Sequence, residues 1–339
     1  MDLTTTYLGL NLPHPFLPGA SPMAEDLDTV RRLEDAGAAA IVMYSLFEEE
    51  ITAEQMSMFH HTEVHAEAHA EAAGYFAVPP ELTLGPEHYL EQLRRIREAV
   101  RLPVIGSLSG ATRGGWIDYA RLIEQAGASA LELNLYHSPL DPMESALAVE
   151  DREVEIVRAV CAEVKIPVAV KLSPFYSSLP HLARRFEETG AAGFVLFQRL
   201  MHATIDVEEL EARPLPTLSD GCELGLRLRW LGILSAQRPK MSFAVSGGVH
   251  DGLGVVRALM TGADAIQLVS HLLRHGPARI AQLRQELITW LEAHEYESLA
   301  QLRGSMSMDR IPNPAAYARA NYMRMLRDNA HIMAEVPRS

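Results

Sequence analysis

Short apolar runs recur along the chain between polar stretches, and two local designs introduce them in turn. In the first, a helix-like stretch ends in Gly-Ala and the chain enters the run within a few residues. DAGAAAIVMYS (35–45), QAGASALELNLY (125–136), ETGAAGFVLFQ (188–198) and MTGADAIQLVS (260–270) share it. Glycine just past a helix takes the left-handed cap conformation without a Cβ clash, so the reversal into a strand is short. In the second design a basic residue and a proline precede the run, as in RLPVIGSLSG (101–110), KIPVAVKLSP (165–174) and RPKMSFAVSGG (238–248). Proline is tolerated at the first position of a strand. The designs alternate, and PFLPGAS (15–21) at the front completes eight predicted strands.

The segments between the runs carry helical spacing. In DLDTVRRLEDAG, Leu27, Val30 and Leu33 recur on one face and Asp26 is placed as the N-cap. HYLEQLRRIREAV and GLGVVRALMTG show the same stripe. Eight strand–helix units in about 270 residues predict an α/β fold of the (β/α)8 TIM barrel type. A doubly wound sheet would need fewer strands, and the GxGxxG turn expected after its first strand is missing. The expected organisation is one barrel over 1–304 and a C-terminal helical extension over 305–339, where IPNPAAYARANYMRML starts a helix on proline. Long loops follow strand two (48–88) and strand six (199–229), and in a barrel both lie over the C-terminal mouth.

Composition narrows the partners. A formal net charge of −14 argues against a phosphate-backbone partner and disfavours an anionic membrane surface. Two cysteines cannot form a disulfide framework, and no run approaches the roughly 18 apolar residues of a membrane span. The N-terminus MDLTTTYLGLNLPHPF lacks the basic start and apolar run of a secretory signal. A cytoplasmic protein is expected.

Barrel chemistry sits at the C-terminal strand ends. SGGV at strand seven and LVSH at strand eight place paired glycines and a helix start where barrels hold phosphate. Lys171, inside VAVKLSP, puts an ammonium in an apolar strand, which needs an anionic partner. Its readings are a contact to a flavin anion, a Schiff-base nucleophile, or a head group that escapes to solvent. ELNLYHSP (132–139) runs from a strand into Tyr136, His137 and Ser138, and either His137 or Ser138 is a candidate base. His61, His65 and His69 share a face if helical, a spacing that suits zinc, but a solvated lid helix without metal is expected. Cys161 is assigned to the core and Cys222 to a loop.

These motifs together resemble the dihydroorotate dehydrogenases, FMN-containing (β/α)8 barrels of pyrimidine synthesis. The similarity runs from about Leu3 to Met306. It is carried by TTTYLGLNLPHPFLPGAS, LELN, PVAVKLSP, FAVSGGVHDGLGVVRALMTGADAIQLVSHLLRHGP and HEYESLAQLRG. The resemblance implies FMN contacts from Ala20, Ser21, Tyr44, Asn134 and Lys171, with backbone amides of Gly247, Gly248, Val269 and Ser270 around the phosphate. It implies oxidation of a dihydropyrimidine-like small molecule, a soluble electron acceptor and a possible homodimer. The chain departs from the family at Met43, where a lysine is usual, and at NLYHSPLD, where N-[LI]-S-[CS]-P-N is usual. Gln198 replaces the sixth-strand asparagine that holds substrate, and AEAAGYFAVPP replaces the substrate loop. The departures imply an altered substrate or weak activity on dihydroorotate. They leave open a flavin-binding barrel without catalysis, acting as partner or sensor.

Overall fold

The computed structural model describes residues 1–47, 86–109, 116–135, 140–199, 202–215 and 217–317. The chain opens with an antiparallel hairpin, β1 (Thr5–Tyr7) and β2 (Leu10–Leu12). The barrel strands follow: β3 (Phe16–Pro18), β4 (Ile41–Val42) with its continuation β5 (Leu46–Phe47), β6 (Val104–Ser109), β7 (Ala130–Asn134), β8 (Val168–Leu172) and β9 (Gly193–Leu196). A second hairpin, β10 (His202–Asp206) and β11 (Glu211–Leu215), precedes the last two barrel strands, β12 (Ser242–Ser246) and β13 (Ala265–Leu268). All barrel pairings are parallel, in the order β3-β13-β12-β9-β8-β7-β6-β4. The Ala39 amide donates to the Phe16 carbonyl at 2.9 Å and links the two ends of that order. This is the expected (β/α)8 architecture.

Helices α1 (Leu27–Asp35), α2 (Pro86–Ala99), α3 (Trp116–Gln125), α4 (Ala146–Glu163), α5 (Leu179–Glu188), α6 (Leu224–Gln237) and α7 (Gly252–Thr261) alternate with the strands. After β13 come α8 (Ser270–His275), α9 (Arg279–Ala293) and α10 (Leu299–Leu302). Asp26 caps α1 as expected, its carboxylate accepting from the Asp28 and Thr29 amides. Val30 and Leu33 of that helix are buried. The glycines of the Gly-Ala connectors, Gly37, Gly127, Gly190 and Gly262, all have positive φ, as the cap argument requires.

One feature refines the expected insertion after strand six. The segment after strand six is not a plain loop: it folds into the β10–β11 hairpin, and α6 begins at Leu224, inside the range assigned to the insertion. The segment after α10 crosses the outer helices. The Met306 amide bonds the Met260 carbonyl, the Met308 amide bonds the Gly232 carbonyl, and Pro314–Tyr317 forms a 3-10 turn. The remainder of the expected tail helix, from 318 on, lies outside the described residues, as do His61, His65 and His69. Among the described residues no helix is long and apolar enough to cross a membrane.

The first hairpin plugs the foot of the barrel. Tyr7, Leu8 and Leu12 pack with Ile105, Ala130, Ala169, Val195, Ala244 and Ala265, one buried residue from each of six strands. Four of those six are alanine, which leaves room for the hairpin's side chains. Alternation along a strand then places residues two further on in the next layer toward the mouth. That layer holds Ser107, Glu132, Lys171, Ser246 and Gln267, all buried.

Candidate functional site

The polar layer is organised by one carboxylate. Lys171 Nζ donates to Glu132 Oε1 at 2.9 Å, and Gln267 Nε2 donates to Glu132 Oε2. Glu132 is 1% exposed and Lys171 7%. Parallel pairing of β7 with β8 sets the contact, because Asn134 lies opposite Lys171 and Glu132 opposite Ala169. The partner that a buried ammonium needs is therefore Glu132, supplied by the LELN strand. Two phenols flank the layer. Tyr7 is pushed up by burial and then by the Glu132 and Asp264 charges. Tyr89 is pushed up by burial, and its hydroxyl donates to the Ser107 carbonyl while accepting from the Ser107 amide.

At the C-terminal strand ends above this layer, and on Gln267 within it, several buried polar atoms have no hydrogen-bond partner among the described residues. They are Ser109 Oγ, Asn134 Oδ1, both side-chain polar atoms of Gln198, and Gln267 Oε1. Buried polar atoms in folded proteins are nearly always hydrogen-bonded, so a cluster of exceptions at a barrel mouth points to a polar ligand. Ser21 is buried and Ala20 half-buried at the end of β3. Tyr44, past β4, sets its ring edge-on to Tyr89 with centroids 5.0 Å apart. Met43 beside it is fully buried.

The turn after β12 forms the other end of the site. Gly247 and Gly248 have φ of 82° and 80°, which only glycine takes without strain. A Cβ on Gly248 would lie 2.7 Å from the Leu224 amide nitrogen, and one on Gly247 would lie 2.8 Å from the Arg227 guanidinium. Arg227 is buried under the turn, where Nε donates to the Ser246 carbonyl and the guanidinium pairs with Glu223. Ser219 closes the turn: its amide donates to Ser270 Oγ at 2.9 Å, and its hydroxyl accepts from the Gly248 amide at 3.4 Å. Val269 is half-buried and precedes α8. Behind the turn, Arg279 Nε donates to His271 Nε2 at 2.7 Å. Burial, then the neighbouring Arg279 guanidinium, hold the His271 imidazole down at about 4, so it is neutral at working pH.

The structure thus gathers Ala20, Ser21, Tyr44, Asn134, Lys171, Gln198, Gly247, Gly248, Val269 and Ser270 at one end of the barrel. His137 and Ser138 lie outside the described residues. Cys161 is half-buried with its thiol pushed up to about 11 by burial, and Cys222 is exposed. Three residues of the site went unassigned in the sequence: Glu132, Gln267 and Ser219. Period-two spacing from Asn134 and Val269 carried a signal for the first two.

The sequence profile described as Dihydroorotate dehydrogenase matches residues 83–291. The catalytic subunit of dihydroorotate dehydrogenase B (NAD(+)) from Thermoplasma volcanium is 25% identical over 89% of this chain and 98% of its own length. The NAD-dependent dihydropyrimidine dehydrogenase subunit PreA of Escherichia coli K12 is 23% identical over 92% of this chain and 78% of its own. The chloroplastic dihydropyrimidine dehydrogenase (NADP(+)) of Arabidopsis thaliana is 21% identical over 89% and 76%.

Proposed function

The chain belongs to the dihydroorotate dehydrogenase family, and from that premise we propose that it is an oxidoreductase that holds FMN in the barrel mouth and dehydrogenates a CH–CH bond of a dihydropyrimidine-like substrate. The observation that carries this reading is the set of unpartnered buried polar atoms on Ser109, Asn134, Gln198 and Gln267. Each such atom costs about 1–3 kcal/mol when left unsatisfied. A planar ring with donors and acceptors along its edges fits them, and the diglycine turn fits the phosphate at the far end.

When bound, FMN would supply a two-electron acceptor for hydride from the substrate carbon. Lys171, paired with Glu132, would face the ring edge where negative charge gathers on reduction. Asn134 and Gln198 orient ring and substrate through their carboxamides. Ala20, Ser21 and Tyr44 bound the ring, and backbone amides of Gly247, Gly248, Val269 and Ser270 hold the phosphate. His137 or Ser138 removes the proton from the neighbouring carbon. An imidazole works as a base near neutral pH, whereas a hydroxyl needs a supporting network. Relatives named for dihydroorotate and for dihydropyrimidines support the substrate class. Their NAD(+) and NADP(+) designations support a soluble acceptor, and the word subunit in two of the names supports a protein partner. Two free cysteines and the acidic charge support a cytoplasmic setting, with a homodimer as the simplest assembly.

The test is a visible spectrum of purified protein reconstituted with FMN, before and after anaerobic dihydroorotate or dihydrouracil. Bleaching by either supports the reading and identifies the substrate. A second reading is favoured by Met43, whose full burial leaves no cation at the end of strand two. It is a flavin-holding barrel without catalysis, for which the protein is yellow yet unbleached by both compounds. Failure to take up FMN removes both readings.

A further inference from the structure

The chain contains only three lysines among thirty Lys and Arg residues. Lys165 and Lys240 are exposed, whereas Lys171 is buried inside the barrel. Among the described residues, the one carboxylate in ion-pair contact with it is Glu132. That carboxylate is held from both sides, by Lys171 on β8 and by Gln267 on β13. It therefore cannot follow the ammonium toward the mouth. Among the described residues, the groups packed around the pair add no other charge: Asn134 and Gln267 are neutral amides. Tyr7 on β1 and Tyr89 on α2 are phenols that burial keeps protonated across working pH. Asp264, beyond Tyr7, is itself paired with Arg303.

A buried ammonium with no counter-ion sheds its proton, because desolvation penalises the charged form. We propose that Glu132 is a positioning residue that keeps Lys171 charged in both oxidation states of the ring it faces, so that the site takes up one proton, not two, on reduction. This rests on the flavin reading above. With Glu132 present, two electrons and one proton enter the ring as hydride, and the negative charge gained there meets a cation already in place. Without Glu132, Lys171 is a neutral amine beside the oxidised ring. The same two electrons then draw a second proton from solvent onto Nζ.

A two-electron couple moves about 30 mV per pH unit for each proton taken up. Spectroelectrochemical titration of the FMN-loaded protein between pH 7 and 9 is expected to give a slope of about 30 mV per pH unit for wild type and for Glu132→Asp. For Glu132→Gln the slope should approach about 60 mV. An unchanged slope in Glu132→Gln overturns the proposal. Lys171→Met separates it from the parent reading. If that variant lowers the midpoint potential while Glu132→Gln keeps the wild-type slope, only the present inference fails. If Lys171→Met leaves the midpoint unmoved, the lysine–flavin contact fails and this inference with it. Should Glu132→Gln not fold, NMR of wild-type protein carrying lysine labelled at Cε reads the same point from three signals. A charged Lys171 at pH 8 is expected, and a neutral amine there overturns the proposal.

Discussion

Gln198 carries two buried polar atoms with no partner among the described residues, and both are unfavourable until something binds them. Replacing it by leucine removes that penalty along with the contact. Gln198→Leu is therefore expected to stabilise flavin-free protein by about 1 kcal/mol in urea unfolding. The same change should weaken FMN or substrate binding about tenfold by fluorescence titration, the equivalent of one lost hydrogen bond. A variant less stable than wild type without ligand would mean that the carboxamide is satisfied within the protein. Gly248→Ala addresses the other end of the site. At φ of 80°, with Leu224 backbone already 2.7 Å from the new carbon, the alanine costs about 1–3 kcal/mol. FMN retention on gel filtration should fall accordingly. At this scale the sequence disclosed Lys171, because an ammonium between valine and leucine is an anomaly in any strand. Glu132 stayed hidden because its contact depends on how β7 registers against β8, and no local pattern reports a register between strands 39 residues apart.

Barrel strands were legible because each is introduced by a local device, Gly-Ala or a proline, whose backbone effect needs no tertiary partner. The hairpins were not. β1 and β2 are joined at Leu8 and Gly9, both at positive φ, where an Asn-Gly pair would have announced the turn. The β10–β11 turn likewise puts Leu210 at positive φ. Helix α4 carries a different kind of surprise. Glu153 is buried on it, and burial raises its carboxyl to about 7, against the opposing pull of Tyr176 and Arg152. A carboxyl raised on folding binds its proton more tightly in the native state, so its stabilising effect is complete below about 4.5 and is lost as pH rises through 7. Glu153→Gln removes that dependence. Urea midpoints at pH 5 and pH 8 should show wild type losing stability relative to the variant, by an amount on the order of 3 kcal/mol. A constant difference across that range would place the carboxyl in an ordinary solvated setting.

The whole molecule depends on a foot that the barrel strands do not fill by themselves. In many barrels the lowest layer is closed by branched side chains from the strands. Here Ala130, Ala169, Ala244 and Ala265 leave that space to Tyr7, Leu8 and Leu12 of the first hairpin. The hairpin is tied down by the Leu8 amide on Ser242 Oγ and by the Thr5 hydroxyl on the Asp264 carbonyl. An isolated two-stranded hairpin is marginal in water, so it must fold onto the barrel and not before it. Tyr7→Ala would then open a void that four alanines cannot collapse into. A loss of about 3–5 kcal/mol follows, or on the order of ten degrees in the thermal midpoint. Thr6→Ala, on the exposed face of the same strand, should change stability by no more than about 0.5 kcal/mol. Because the void lies directly beneath Glu132, Tyr7→Ala should also admit water toward the polar layer and loosen FMN, whereas Thr6→Ala should leave the spectrum of bound flavin unchanged. Equal effects from the two variants would show that the hairpin is an accessory strand and that the foot of the barrel is closed by something else.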